Sequence, residues 1–274
     1  MQLRFSRSGG ALSRTVVLSA ALAAAIAAPA GAQTAQTAPK TTPAAKSDAA
    51  LPSARQIIDR HIEAIGGRKA ILAHTSSYSK GTLAIPANGM SGSVDVYAAK
   101  PNKSLLKISI AGIGEVVEGF DGVVGWSMSP MTGPALSDGK VLADKKFDSD
   151  FYGDLHDDAR YSSMKTVEKT TFDGRPCYKV ALTRKGATTE DFEYYDIATG
   201  LKAGASGTRE TPMGAVPSTQ IQSDYKKFGD LLVPTTLKFS TMGVDQVFTF
   251  TSVELDKVDP AVFELPAQIK ALIK

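Results

Sequence analysis

Three histidines, His61, His74 and His156, are the first residues to examine for chemistry, because imidazole serves as a general base and as a metal ligand. Their spacing contains neither His-x-x-x-His nor His-Glu-x-x-His, so no common zinc motif is present. His156 lies in the acidic run 154–158, where three aspartates surround it and could bind a metal ion. The same run suits a solvated loop or a helix start, in which aspartate caps free backbone amides, and we favour this second interpretation.

Nucleophile and nucleotide motifs are missing from the sequence. The only cysteine, Cys177, lies in a strand-like run with no histidine or acid close to it, which favours a packing role over a nucleophilic one. There is no Gly-x-Ser-x-Gly motif, P-loop or dinucleotide fingerprint. We therefore predict a protein without catalytic residues, bound metal or cofactor.

A second group of residues points to binding of an apolar molecule. The single tryptophan offers a large apolar surface, and methionine side chains adapt to apolar ligands of varied shape. An ordinary packed core would use the same residue types, so that alternative stays open. The predicted lining residues are Phe120, Trp126, Met128, Met131, Phe248 and Phe250.

Residues 1–32 have the pattern of a secretory signal peptide. Three arginines precede an apolar, alanine-rich run over 15–28, and Ala30-Gly31-Ala32 supplies small residues for cleavage before Gln33. The run is too short and too poor in leucine for a good membrane-spanning helix, although an uncleaved anchor is the alternative. No cysteine lies near the cleavage point, so lipid attachment there is excluded. We expect a periplasmic protein that is not a lipoprotein.

The charge balance excludes one class of partner. The chain holds 31 basic and 28 acidic residues, and the three arginines of the leader account for the whole excess. A mature chain with balanced charge has no basic surplus to bind nucleic acid. Residues 33–50 contain no aromatic or large aliphatic side chain, which predicts a disordered linker. Residues 51–274 are then long enough for one large β domain.

Short alternating runs separated by turn residues dominate the chain from residue 75 onward. Twelve runs are predicted as strands, and pairs such as Asn88-Gly89, Asp121-Gly122 and Asp173-Gly174 suit tight hairpins. Successive hairpins imply an antiparallel meander. Alternation of apolar with polar residues, as in Leu106, Ile108 and Ile110, predicts one wet face and one apolar face.

Two helical stretches accompany the strands. Ser53 can cap a helix that Gly66-Gly67 ends. Residues 137–160 interrupt the strand pattern, and Ser137-Asp138 can cap a helix from Gly139 through Asp148. An insertion of this length can lie across one face of the sheet as a lid.

Three segments resemble one family. Residues 119–131 combine Asp-Gly, the only tryptophan and Ser-Pro; residues 195–201 end in Thr-Gly-Leu; residues 258–266 contain Val-Asp-Pro, a phenylalanine and a closing proline. Together they resemble the lipoprotein-carrier superfamily of bacterial envelopes, with the LolA/LolB-like fold. The resemblance implies mainly β structure with few helices: a strongly curved antiparallel sheet forming an incomplete barrel, its concave side covered by helices. The sequence departs from the carriers at Ala64–Gly67, and the family's lid-latching arginine has no assigned position here.

The resemblance also implies a function. We expect a non-enzymatic periplasmic carrier for acyl chains or lipoproteins, with a hydrophobic cavity gated by the helical insertion. Its expected partners are the hydrophobic ligand, an envelope protein and, through transient contact, the membrane. Two alternatives stay open: a metal-dependent hydrolase built on the acidic cluster around His156, and an envelope adaptor module without a ligand.

Overall fold

The computed structural model describes residues 50–211 and 214–273, so the predicted signal peptide and almost all of the predicted linker lie outside the described residues. Thirteen strands make up most of the described chain. They are β1 (Ser76–Ile85), β2 (Met90–Ala99), β3 (Lys103–Ile110), β4 (Gly114–Phe120), β5 (Gly125–Ser129), β6 (Gly133–Leu136), β7 (Tyr161–Phe172), β8 (Arg175–Arg184), β9 (Glu190–Asp196), β10 (Lys202–Thr211), β11 (Gly214–Phe228), β12 (Leu231–Thr241) and β13 (Val244–Leu255).

All thirteen strands belong to one antiparallel sheet. Its order is β6-β5-β4-β3-β2-β1-β13-β12-β11-β10-β9-β8-β7, so two meanders meet where the first strand pairs with the last. The sheet is not closed, which confirms the predicted incomplete barrel. Twelve strands match the predicted runs. The additional one, β6, is a four-residue strand at the edge of the sheet and contains Pro134, a residue that a sheet accommodates more easily at its edge than at its centre.

Within the described residues, four α-helices accompany the sheet: α1 (Ala54–Ala64), α2 (Gly67–Ala73), α3 (Gly139–Asp148) and α4 (Ala267–Lys270). Ser53 caps α1 as predicted, and its side chain and that of Gln56 form a reciprocal capping box. Gly66 separates α1 from α2 with φ +131°, and a Cβ there would lie 2.6 Å from the carbonyl oxygen of Asp230. No helix in the described part of the chain is long and apolar enough to cross a membrane.

The contacts of α3 reveal how strongly the sheet curves. This ten-residue helix is about 15 Å long, yet it contacts both β5 and β10, which lie eight places apart in the sheet. In a flat sheet these strands would be separated by about 38 Å, at about 4.8 Å per strand. The sheet must therefore bend toward α3, and the face that carries α3 is the concave one.

Apolar side chains are buried on both faces. Leu105 and Leu106 are neighbours in β3 and so point to opposite faces. Leu106 belongs to a cluster on the concave face, whereas Leu105 packs with Phe263 and Ile269 of the C-terminal segment, residues 258–269, on the other face. On the concave face of the β7–β12 half, α1 and α2 cover a further cluster that includes Ile58, Ile62 and Ile71.

His74 fastens α2 to the ends of three strands. Its Nδ1 lies 2.6 Å from Asp256 and its Nε2 lies 2.8 Å from Asp230. Asp230 is in the turn between β11 and β12, and Asp256 directly follows β13. Burial on its own would lower the pKa of His74, but the hydrogen bonds to the two aspartates outweigh it and raise that pKa above its usual value.

Candidate functional site on the concave face

The concave face carries a band of apolar side chains from five adjacent strands, β3, β2, β1, β13 and β12. Every member of this band, here called the concave cluster, belongs to a strand and is at most 8% exposed. Alternation explains the pattern, because every second residue of each strand points inward. Phe239 and Phe248 meet edge to face, with ring centroids 5.6 Å apart. Its ten members are Leu83, Ile85, Val94, Val96, Leu106, Ile108, Leu237, Phe239, Phe248 and Phe250.

Three of the predicted lining residues lie on this face. Phe248 and Phe250 are members of the concave cluster. Phe120 is 1% exposed, and it shares strand parity with Glu118, which pairs with α3. Phe120 therefore points to the concave side, near the end of α3.

The other three predicted residues lie elsewhere. Trp126 and Met128 pack on the opposite face, under the C-terminal segment. Gly119 makes room for the indole, because a Cβ there would lie 2.5 Å from the Trp126 ring. Met131 is 63% exposed in the turn between β5 and β6. The structure thus places the six residues in three separate environments.

Ion pairs fasten α3 to both arms of the curved sheet. On one arm, Lys145 Nζ lies 3.1 Å from Glu118 Oε2 of β4. On the other arm, Asp144 lies 2.8 Å from Arg184 of β8. Phe147 of the same helix has the Arg184 guanidinium 4.1 Å from its ring centroid, which adds a cation–π contact. The helix thus lies across the open side of the concave face, and contacts with β4 and β8 hold it at its two sides.

A buried polar cluster fastens the loop that follows α3. The cluster consists of Asp154 and His156 from the loop and Glu193, Tyr195 and Lys202 from β9 and β10. His156 Nδ1 lies 2.7 Å from the carbonyl oxygen of Asp154, and its Nε2 lies 2.7 Å from Glu193 Oε2. Tyr195 also donates its hydroxyl to Glu193. Lys202 Nζ is 3.2 Å from Glu193 and 3.6 Å from Asp154.

The charges of this largely buried cluster stabilise one another. Burial alone would raise the pKa of Glu193, but the charges of His156 and Lys202 outweigh it and hold that pKa well below its usual range. For Lys202, burial opposes the charged form, yet the two carboxylates raise its pKa. For Asp154 burial prevails over Lys202 and raises the pKa to about 6. Glu193 is therefore the permanently charged centre of the cluster.

The geometry bears on whether His156 could bind a metal. A carbonyl and a carboxylate oxygen accept hydrogen bonds, and each ring nitrogen of His156 faces one of these oxygens rather than open space. Over residues 50–211 and 214–273, no group of three or more histidine, cysteine, aspartate or glutamate side chains is arranged to hold a metal ion. The contacts of this cluster join the loop to β9 and β10.

A cavity of about 60 Å³ adjoins the polar cluster. It has room for about two water molecules, and the Oδ2 atom of Asp154 has no hydrogen-bond partner within the described protein. A second cavity, of about 280 Å³, lies between α1 and the strands β8 and β9. Its lining residues are Pro52, Gln56, Ile57, Arg60, Tyr178, Tyr195, Asp196 and Gly200.

Arg55 connects the loop to α1. Its Nη1 donates to the carbonyl oxygens of Leu155 and His156, at 3.4 and 3.0 Å. This contact could not be predicted from the sequence, because the partners of Arg55 are backbone atoms about one hundred residues away. Arg55 and the polar cluster hold the same short segment from two sides.

Comparisons with known proteins agree with this architecture. No family model and no curated protein match the chain. Among solved structures, a DUF1329 family protein from Desulfovibrio piger has a TM-score of 0.53 at 17% identity, covering 77% of this chain and 95% of its own. A LolA superfamily protein from Nitrosomonas europaea has a TM-score of 0.52 at 14% identity, covering 78% and 99%. The chain therefore has a LolA-like fold, as its sequence motifs predicted.

Proposed function

We propose that this protein is a non-enzymatic carrier for the acyl chains of lipids or lipoproteins in the bacterial periplasm. The observation that carries the proposal is the concave cluster, an apolar surface contributed by strands alone and spanned by α3. The LolA-like fold supports the proposal, as does the lipoprotein-sorting role of the carrier family that the sequence resembles. The predicted signal peptide supports the compartment.

The driving force would be burial of methylene groups. Each methylene that leaves water for an apolar surface contributes about 0.8 kcal/mol, so ten of them provide about 8 kcal/mol before the cost of ordering the ligand. The phenylalanines and branched aliphatics of the concave cluster supply this surface. No covalent step is needed.

Gating would depend on α3 and the loop that follows it. These elements are held by ion pairs to both arms of the sheet and by the polar cluster, and such contacts can break and reform with little rearrangement of the strands. Opening would expose the concave cluster, and closing would shield it from water. Phe120, Phe248 and Phe250 are the predicted lining residues that this mechanism uses.

The alternatives make different demands. A metal-dependent hydrolase would need His156 to release Glu193 and the Asp154 carbonyl before it could bind a metal. An envelope adaptor would need no space on the concave face at all. The decisive question is therefore whether the concave cluster accepts a ligand.

A matched pair of small-to-large substitutions tests this. Val94→Phe enlarges a residue of the concave cluster, and Val117→Phe enlarges one of the cluster under the C-terminal segment; both valines are at most 5% exposed. We expect Val94→Phe to change the free energy of unfolding by less than about 1 kcal/mol while weakening binding of a fluorescent fatty acid at least tenfold. Val117→Phe should cost about 1–3 kcal/mol, as overpacking does, and leave affinity unchanged.

Native mass spectrometry of the chain, purified from a periplasm without detergent, gives an independent readout. Acylated molecules that co-purify in stoichiometric amounts would support the carrier. If the protein is free of ligand, stays so after incubation with lipids, and loses as much stability on Val94→Phe as on Val117→Phe, the concave cluster is a solid core. That combination would refute the carrier and favour the adaptor.

A further inference from the structure

One rim of the curved sheet is unusually apolar. Alternate turns of an antiparallel meander lie at the same end of the sheet, and four consecutive turns along this end connect β5 to β6, β3 to β4, β1 to β2 and β12 to β13. We call these turns, residues 129–133, 110–114, 86–90 and 241–244, the apolar rim. None of them contains a charged residue.

The tips of the apolar rim expose large apolar side chains. Met242 is 70% exposed, Met131 is 63% exposed and Val244 is 41% exposed. Met242 also has φ +52°, in the left-handed region where a residue with a side chain costs about 1 kcal/mol relative to glycine. An exposed methionine in that conformation contributes nothing to packing that would offset the cost.

The opposite rim has the reverse character. Lys100 lies between β2 and β3, and Asp121 lies between β4 and β5. Asp230 lies between β11 and β12, and Asp256 directly follows β13. Charged turns are what a water-exposed rim requires. The four turns of the apolar rim therefore differ from these charged turns; the turn between β8 and β9, farther along the same end, contains Lys185 and is not part of the apolar rim.

The apolar rim is continuous with the concave cluster. Ile85 directly precedes the turn between β1 and β2, and Met90 is the last residue of that turn; Ile110 begins the turn between β3 and β4. Ile85 is a member of the concave cluster, and Met90 and Ile110 pack against it. Apolar side chains thus connect two of the four turns, those between β1 and β2 and between β3 and β4, to the concave face.

We propose that the apolar rim docks on the surface of a phospholipid bilayer, where its methionines enter the interface and acyl chains pass to the concave face without crossing water. This inference rests on the proposed carrier function and names the surface at which loading takes place. The uncharged tips lie apart from one another along an arc. They can enter a bilayer together, because its apolar interior is disordered and uniform in the membrane plane. Methionine is flexible enough to pack against acyl chains of any arrangement. The tips present neutral hydrogen-bonding groups, such as Asn88 and Thr132, but no charge with which a protein partner could form an ion pair.

Vesicle flotation tests the proposal with a matched control. The chain from residue 33 onward is mixed with phosphatidylcholine vesicles, which carry no net charge, at low salt and at 0.5 M NaCl. We expect flotation at both salt concentrations, because burial of apolar side chains is not screened. Met131→Asp and Met242→Asp should each weaken flotation about tenfold, and the double variant should abolish it. Val123→Asp, 79% exposed in the turn between β4 and β5 of the opposite rim, should float like the unmodified protein.

Three outcomes would overturn the proposal. The protein does not float, or it floats only with anionic lipid and not at high salt, or Val123→Asp weakens flotation as much as the methionine substitutions do. Binding of a monomeric fluorescent fatty acid is measured in parallel to separate the two hypotheses. If the fatty acid binds but the vesicles do not, the carrier function stands and the apolar rim is not its docking surface. If neither binds, the carrier function itself fails.

Discussion

The ion pairs of α3 lead to a quantitative prediction about ligand release. Lys145 and Glu118 have side chains that are only 15% and 10% exposed, and they join α3 to β4 over 3.1 Å. Lys145→Met keeps the length of the side chain but removes its charge. A charge-assisted hydrogen bond at such a site contributes about 1.5–3 kcal/mol to the closed arrangement.

This free energy sets the expected change in rate. At 1.4 kcal/mol per factor of ten, the ratio of closed to open molecules should fall about 10- to 100-fold. If α3 must lift before an acyl chain leaves, the dissociation rate of the ligand rises by the same factor. Stopped-flow transfer of a fluorescent fatty acid to excess albumin measures this rate directly.

Lys146→Met is the matched control, because Lys146 lies next to Lys145 in the same helix but is exposed. It should leave the rate unchanged. Hydrogen exchange of residues 139–148 reports whether Lys145→Met has loosened α3. If exchange accelerates while the dissociation rate does not, ligand release does not pass through α3, and the gating hypothesis is refuted.

Two further predictions concern stability. Lys202→Met should lower the free energy of unfolding by about 3–5 kcal/mol, because it leaves Glu193 buried without its cation; a loss below about 1 kcal/mol in urea titration would contradict the ion-pair network described here. His74→Gln should lower stability most below about pH 6.5, where the protonated imidazole is bound by Asp230 and Asp256, and progressively less as the pH rises through the raised pKa of His74. The urea midpoints of the unmodified protein and of the His74→Gln variant, at about pH 6 and pH 9, measure this effect. If the two proteins differ by the same amount at both pH values, His74 contributes only as a neutral side chain.

Local patterns in the sequence predicted most of the elements. Turn pairs such as Asp173-Gly174 separate the strands, and α3 has the predicted bounds Gly139–Asp148. Its predicted cap is only partly realised, since Asp138 occupies the N-cap position without a side-chain hydrogen bond. The strand β6 was missed because Gly133 and Pro134 resemble a turn more than a strand.

The candidate site was harder to predict than the fold. Alternation shows which residues share a face of a strand, but Leu105 and Leu106 are both buried, so it does not show which face is concave. This is why Trp126 and Phe248 were grouped together although they lie on opposite sides of the sheet. The contact of Glu193 and Lys202 with the loop that contains His156 could not be predicted from local patterns, because it depends on the pairing of strands that are distant in sequence.

The meeting of β1 with β13 has a consequence for how the chain acquires its structure. Each meander consists of hairpins between neighbours in sequence, and such contacts form quickly. The seam between the meanders joins Ser77 to Leu255 and Ala84 to Val247, so it must wait until nearly the whole chain is present. Until then the two halves of the apolar band remain apart and open to water. The interval before the last strand arrives is thus when the protein is most exposed to aggregation, and when assistance from a chaperone would have the greatest effect.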